Sequence, residues 1–131
     1  MKFPIVIPFV EHLGFELQSF GGGASEICVT LKPELLNSWH VAHGGLSMTL
    51  LDVAMAHCIR EPSDFNAPGM VTIEMKTTFM RPGTGRLTAR GRLLHKSSTM
   101  GFTEGTVTDE SGKIVAHATG TFKFLTTLVK N

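Results

Sequence analysis

The sequence predicts an α+β domain in which a curved antiparallel sheet of about six strands wraps around one long central helix. Three observations lead there. Between Leu46 and Ile59, ten of fourteen residues are apolar and fall on every side of a helical wheel, as in a helix enclosed by protein. Six other runs alternate apolar and polar residues with the period of two that marks a half-buried strand. Their order is a hairpin, the helix and four strands, and a single buried helix needs a sheet that curls around it.

In chain order, Leu13, Phe15 and Leu17 alternate with Gly14, Glu16 and Gln18 and predict a strand from Leu13 to Phe20. Gly21-Gly22-Gly23 turns the chain, and Ile27, Val29 and Leu31 carry the second strand of the hairpin, which Pro33 ends. Residues Glu34 to Ala42 approach the helix, with Trp39 expected to pack against it. The helix ends near Arg60, because Glu61-Pro62-Ser63-Asp64 holds a proline and turn formers, and a loop runs on to Gly69. Val71, Ile73, Met75, Thr77 and Phe79 give a long strand with one apolar face, stopped by Pro82-Gly83. Leu87, Ala89, Gly91 and Leu93 mark the next strand. After a turn at Lys96 to Thr99 another strand runs from about Met100 to Thr108, and Asp109 to Gly112 is the next turn. The last strand places Ile114, Ala116, Ala118, Gly120, Phe122 and Phe124 on one face, its small residues making room for the helix. Thr126 to Asn131 is a tail.

A chain of 131 residues supports one domain spanning 1–131. Its 12 basic and 11 acidic residues leave a formal charge of +1, so no whole-molecule field draws it to nucleic acid or a membrane surface. The helix is too short to cross a bilayer. The N-terminal stretch is broken by Pro4 and Pro8 and has no small-residue cleavage site, so it does not read as a signal peptide. Cys28 and Cys58 form no C-x-x-C pair and read as buried thiols of a cytoplasmic protein. His40 and His43 lack the spacing of a helical metal site, so no metal is expected.

Inside the apolar helix sits one carboxylate, Asp52, which either reaches solvent, caps a neighbouring backbone or does chemistry. The helix entry, His43-Gly44-Gly45, puts two glycines where backbone N–H groups lack intrahelical partners and the dipole end is positive. Oxyanion donors and a carboxylate able to attack or activate water are the two parts that acyl hydrolysis requires.

Asn37, His43-Gly44-Gly45 and Leu50-Leu51-Asp52-Val53-Ala54 together resemble the hotdog-fold acyl-CoA thioesterases of the phenylacetate-pathway, or PaaI-like, type. In that family an Asn is followed six residues later by H-G-G, and an acid stands nine residues after the His; these intervals match. The resemblance extends through Pro8 to Gly14, Thr72 to Met75 and Phe79 to Pro82, and so over nearly the whole chain. It implies a hotdog fold, an acyl-CoA substrate whose coenzyme A is part of the substrate, and no separate cofactor. It also implies catalytic roles for Asp52 and the Gly44 amide, with His43 as a positioning residue. Asn37 would donate its amide to the thioester or to the loop. Thr72 falls where relatives carry a Ser or Thr that orients the acid or its water, while by pattern alone it is a polar residue on the outer face of a strand.

For substrate binding the candidates are Gly45, Arg81, Lys96, Ser97 and Ser98. Arg81, Arg86, Arg90, Arg92 and Lys96 form a basic run without an acid, which reads either as a solvated strand face or as a grip on the coenzyme A phosphates. The rival functions are a noncatalytic acyl-CoA sensor and a hotdog dehydratase or hydratase. Finally, Gly44 and Asp52 are eight residues apart on one helix, about 12 Å along its axis, so one carbonyl cannot easily meet both. An antiparallel helix across a twofold axis would supply the missing half, predicting a homodimer with shared sites. The family resemblance implies the same dimer, paired again into a homotetramer.

Overall fold

Gly22 and Gly23 have φ values of 65° and 81°, the left-handed conformations that a two-residue hairpin turn demands. They join β1 (Glu16–Gly21) to β2 (Ala24–Thr30) as an antiparallel pair. The computed structural model describes residues 1–64 and 69–125; the C-terminal tail and most of the loop before Gly69 lie outside the described residues. Beyond the hairpin come α2 (Gly44–Ile59), β3 (Met70–Phe79), β4 (Arg86–Lys96), β5 (Met100–Thr108) and β6 (Ile114–Phe124). All six strands form one antiparallel sheet in the order β1-β2-β4-β5-β6-β3, so β3 crosses over to the edge opposite β1. This is the hotdog architecture that the sequence predicts.

The first strand begins later than its alternation suggests. Pro8 opens a short helix α1 (Pro8–Leu13), and Gly14, at φ 75°, caps it in the left-handed conformation, so β1 starts at Glu16 rather than Leu13. The short helix α1 packs onto the core through Val10, which is 2% exposed.

Three glycines seat the long helix on the sheet. Gly91 and Gly105 face each other across β4 and β5, and a Cβ at Gly91 would collide with the Ala54 carbonyl. At Gly105 it would lie 3.1 Å from Leu51 and Met55, and at Gly120 2.8 Å from the Met55 methyl. The Ser25 hydroxyl donates to the Ala54 carbonyl at 2.5 Å and ties β2 to the same turn of α2. Leu50, Leu51, Ala54, Met55 and Cys58 are wholly buried against this floor.

One side of α2 is left uncovered by the sheet. Gly45, Met48, Thr49, Asp52, Ala56 and Arg60 recur at helical spacing and are all exposed or half-buried, so from Gly45 onward the helix is enclosed except along this stripe.

Edge strand β3 departs from its predicted single apolar face. Thr72 pairs with Phe122 and Glu74 with Thr121, which leaves Ile73 as an extra, unpaired residue in a bulge. The bulge reverses the phase of the strand. Val71 and Ile73, at 44% and 51% exposed, face outward, whereas Met75 and Thr77 stand opposite the buried Gly120 and Ala118. On the inner side of the shift stands Thr72, opposite the buried Phe122, rather than on the outer face its pattern suggests. No described helix is long and apolar enough to cross a membrane.

Candidate active site

The open stripe of α2 is one wall of a cavity of about 590 Å³. Ile7, Phe9 and Val10 from the N-terminal segment close it on one side, and Met70, Met75 and Phe122 from the sheet on the other. Asp52 projects into this largely apolar space, and the Thr72 hydroxyl donates to its Oδ1 at 2.7 Å. Burial raises the pKa of the Asp52 carboxyl above its ordinary value, and the Thr72 hydrogen bond pulls it part of the way back. The result is a more basic carboxylate held in a fixed orientation, which suits a group that must attack carbon or take a proton.

At the start of the helix, His43 is the N-cap. Its Nδ1 accepts from the Gly45 N–H at 2.8 Å, and its carbonyl accepts from Leu46 and Ser47. That leaves the Gly44 N–H with no acceptor among the described residues. The Asn37 Oδ1 accepts from the Trp39 and Val41 amides at 2.9 and 3.3 Å, closing the loop that carries it and leaving its NH₂ as the free donor. His40, with φ at 60°, takes the left-handed conformation that lets this loop close.

Gly44 and Asn37 share a second cavity of about 440 Å³ with Arg81 and Phe79. Trp39, expected to pack on the helix, instead stands 83% exposed at its rim. Within one chain, therefore, the donor pair opens into one cavity and the carboxylate into another. Gly45 lines the Asp52 cavity.

The basic run separates into distinct fates. Arg90 pairs with Glu26 and Arg92 with Glu104 across neighbouring strands, and Arg86 reaches over β2 to Glu16 on β1, all on the solvent face. These are exposed ion pairs, worth at most about 1 kcal/mol apiece. Arg81 sits in the Gly44 cavity, and Lys96 lies over the Phe124 ring at 5.5 Å. The Ser97 hydroxyl accepts from the Met100 and Thr99 amides and so holds its own turn, while Ser98 is exposed beside it. This turn lies at the C-terminal end of α2, since neighbouring Gly101 packs on Ile59 and Phe124. The structure does not bring Lys96, Ser97 and Ser98 to Gly44 within one chain.

His57, which shows no partner in the sequence, lines the Asp52 cavity and is 1% exposed. Its Nδ1 lies 2.8 Å from the Val53 carbonyl, and the Phe3 and Phe20 rings stand edge-on to it. Burial, with help from the charge of Arg60, lowers its pKa to about 4 against the opposing Val53 bond, so the ring is neutral at physiological pH. Its position five residues beyond Asp52 was the available signal, but an i, i+5 step does not by itself mark a shared wall. Cys58 bonds to the Met55 carbonyl, and burial pushes its thiol up to about 12, which makes it unreactive. Among the described residues no set of His, Cys, Asp and Glu groups is placed to hold a metal.

Comparison with known proteins places this geometry in context. Residues 40–116 match the model of the thioesterase superfamily. A provisionally named esterase of Saccharolobus solfataricus is 31% identical over 109 residues, 82% of this chain and 76% of the relative. The acyl-coenzyme A thioesterase PaaI of Escherichia coli is 27% identical over 110 residues, 81% and 74% of the two chains. Among solved structures, a conserved protein of Pseudomonas aeruginosa superposes with a TM-score of 0.85 at 29% identity, covering 92% of this chain and 95% of the other.

Proposed function

Because this chain belongs to the thioesterase superfamily, as a PaaI-like hotdog protein, we propose that it hydrolyses acyl-CoA thioesters to a carboxylic acid and free coenzyme A. The observation that carries this reading is Asp52: one carboxylate, oriented by Thr72, in an apolar cavity large enough for an acyl group. The Gly44 N–H and the Asn37 NH₂ polarise the thioester carbonyl and stabilise the oxyanion that develops on it. Asp52 either attacks the carbonyl carbon, giving a mixed anhydride that water then opens, or takes a proton from the water that attacks. Both routes break the C–S bond and release the thiolate, which leaves as the thiol. His43 acts on neither substrate atom; it fixes the turn that aims the Gly44 amide. Arg81, Gly45 and the Lys96 to Ser98 turn are proposed to hold the remainder of the substrate, Lys96 toward the phosphates.

Since the donors and the carboxylate occupy separate cavities of one chain, the working unit is a twofold dimer in which each site takes Gly44 and Asn37 from one protomer and Asp52 and Thr72 from its partner. The direct test is thiol release from a panel of acyl-CoA esters by wild type and Asp52→Asn. Turnover should fall by at least about a hundredfold in the variant, with substrate still bound. Undiminished turnover would remove Asp52 from the chemistry. A wild-type protein that binds acyl-CoA but releases no thiol would be a sensor instead.

A further inference from the structure

The Gly44 cavity holds a polar group that the fold leaves unused. Ser47 is 2% exposed and lines this cavity together with Ala42, Gly83 and Val115. Its N–H bonds to the His43 carbonyl, but its hydroxyl has no hydrogen-bond partner among the described residues. Thr49, two residues on, behaves differently and turns its hydroxyl back to the Gly45 carbonyl. A buried hydroxyl without a partner is disfavoured unless something that enters the cavity accepts from it.

Ser47 stands three residues after Gly44, in the first turns of α2. Positions three apart share a helix face with Cβ atoms about 5–6 Å apart, and helical side chains lean back toward the N-terminus. One carbonyl oxygen accepting at about 2.9 Å from each of two donors bridges up to about 5.8 Å, so both groups can reach the same atom. Resting on the thioesterase reading, we propose that the Ser47 hydroxyl is a further donor to the thioester carbonyl, joining the Gly44 N–H and the Asn37 NH₂. Its hydrogen bond strengthens as charge gathers on the oxygen, so it favours the transition state over the bound ester. The hydroxyl donates and keeps its proton. No acid or imidazole among the described residues lines this cavity to take that proton, and Asp52 is engaged at the carbonyl carbon or its water.

The test measures kcat and KM for thiol release, on whichever acyl-CoA ester wild type hydrolyses fastest, for wild type, Ser47→Ala and Ser47→Thr, with the melting temperature of each. In Ser47→Ala kcat should fall by about tenfold to a hundredfold while KM stays within about twofold. Its melting temperature should hold or rise, because the change removes an unpartnered buried hydroxyl. The shape of its pH profile should not change, since the group lost is not in contact with Asp52. Ser47→Thr keeps the hydroxyl and should keep most of the turnover. Undiminished kcat in Ser47→Ala would overturn the donor role, as would a rise in KM alone. Loss of turnover together with a lower melting temperature would assign Ser47 to the fold instead. Each of these failures leaves wild-type hydrolysis and its dependence on Asp52 standing, whereas a wild type that releases no thiol from any ester would overturn the thioesterase reading and this proposal with it.

Discussion

At Asp52 two opposed effects meet on one carboxyl group. Burial favours its protonated form, and the Thr72 O–H, which donates more strongly to a carboxylate than to a neutral carboxyl group, favours the ionised form. On the proposed mechanism the ionised form is the one that works, so kcat/KM should decline as pH falls through the raised pKa of this group. Removing the hydroxyl leaves burial unopposed. Thr72→Val should therefore move the acid limb of the pH profile to higher pH, whereas Thr72→Ser should leave it in place; a limb that stays put in Thr72→Val would detach Thr72 from Asp52. The same sign bears on stability. A carboxyl whose folded pKa is raised costs the fold free energy at pH values above that pKa, and the cost fades as pH falls through it. Asp52→Asn should accordingly lose activity without losing melting temperature, a separation that a structural carboxylate would not show.

For the elements, the sharpest test is how closely α2 lies on the sheet. Gly91 faces a backbone carbonyl that cannot yield, whereas Gly120 faces the flexible end of Met55. Gly91→Ala should thus cost about 2–3 kcal/mol in urea denaturation and Gly120→Ala less than about 1; equal costs would mean that the helix is not pinned at Ala54. Small residues on the last strand announce this contact in the sequence, and the hairpin, the helix and the four later strands are all legible from period and punctuation. The short helix α1 was legible too, through Pro8 and Gly14, but the alternation of Leu13, Phe15 and Leu17 outweighs those signals when the pattern is read alone. The bulge in β3 leaves no such mark, because its extra residue, Ile73, is apolar and continues the alternation across the break. The acid partners of Arg86, Arg90 and Arg92 lie on other strands, so a run that looks uncompensated along the chain is neutralised across the sheet. In the candidate site, the positions and spacing of Asn37, His43, Gly44 and Asp52 could be read directly. Which hydrogen bonds they make, and which cavity each one faces, depend on tertiary contacts that no local pattern encodes.

For the whole molecule, the division of donors and carboxylate between two cavities makes the proposed site a property of two chains. Gly44→Pro removes the N–H at the first helical residue, where proline is tolerated, and even a Cβ there meets Phe79 only at ordinary contact distance. Mixed with Asp52→Asn under conditions of subunit exchange, it should form heterodimers with one complete site. At equal proportions and random exchange, about a quarter of wild-type activity should return. Heterodimers verified by mass but inactive would assign each site to a single chain. The bulge of β3, by contrast, does not tie the site to the length of the chain. Many side chains would be tolerated at half-exposed Ile73, and even loss of the residue would close the bulge into a regular ladder, with Thr72 still opposite Phe122, Glu74 still opposite Thr121 and the Thr72 hydroxyl still on the inner side. Along this strand it is the pairing of Thr72 with Phe122, and not the number of residues that precede Glu74, that keeps the hydroxyl turned toward Asp52.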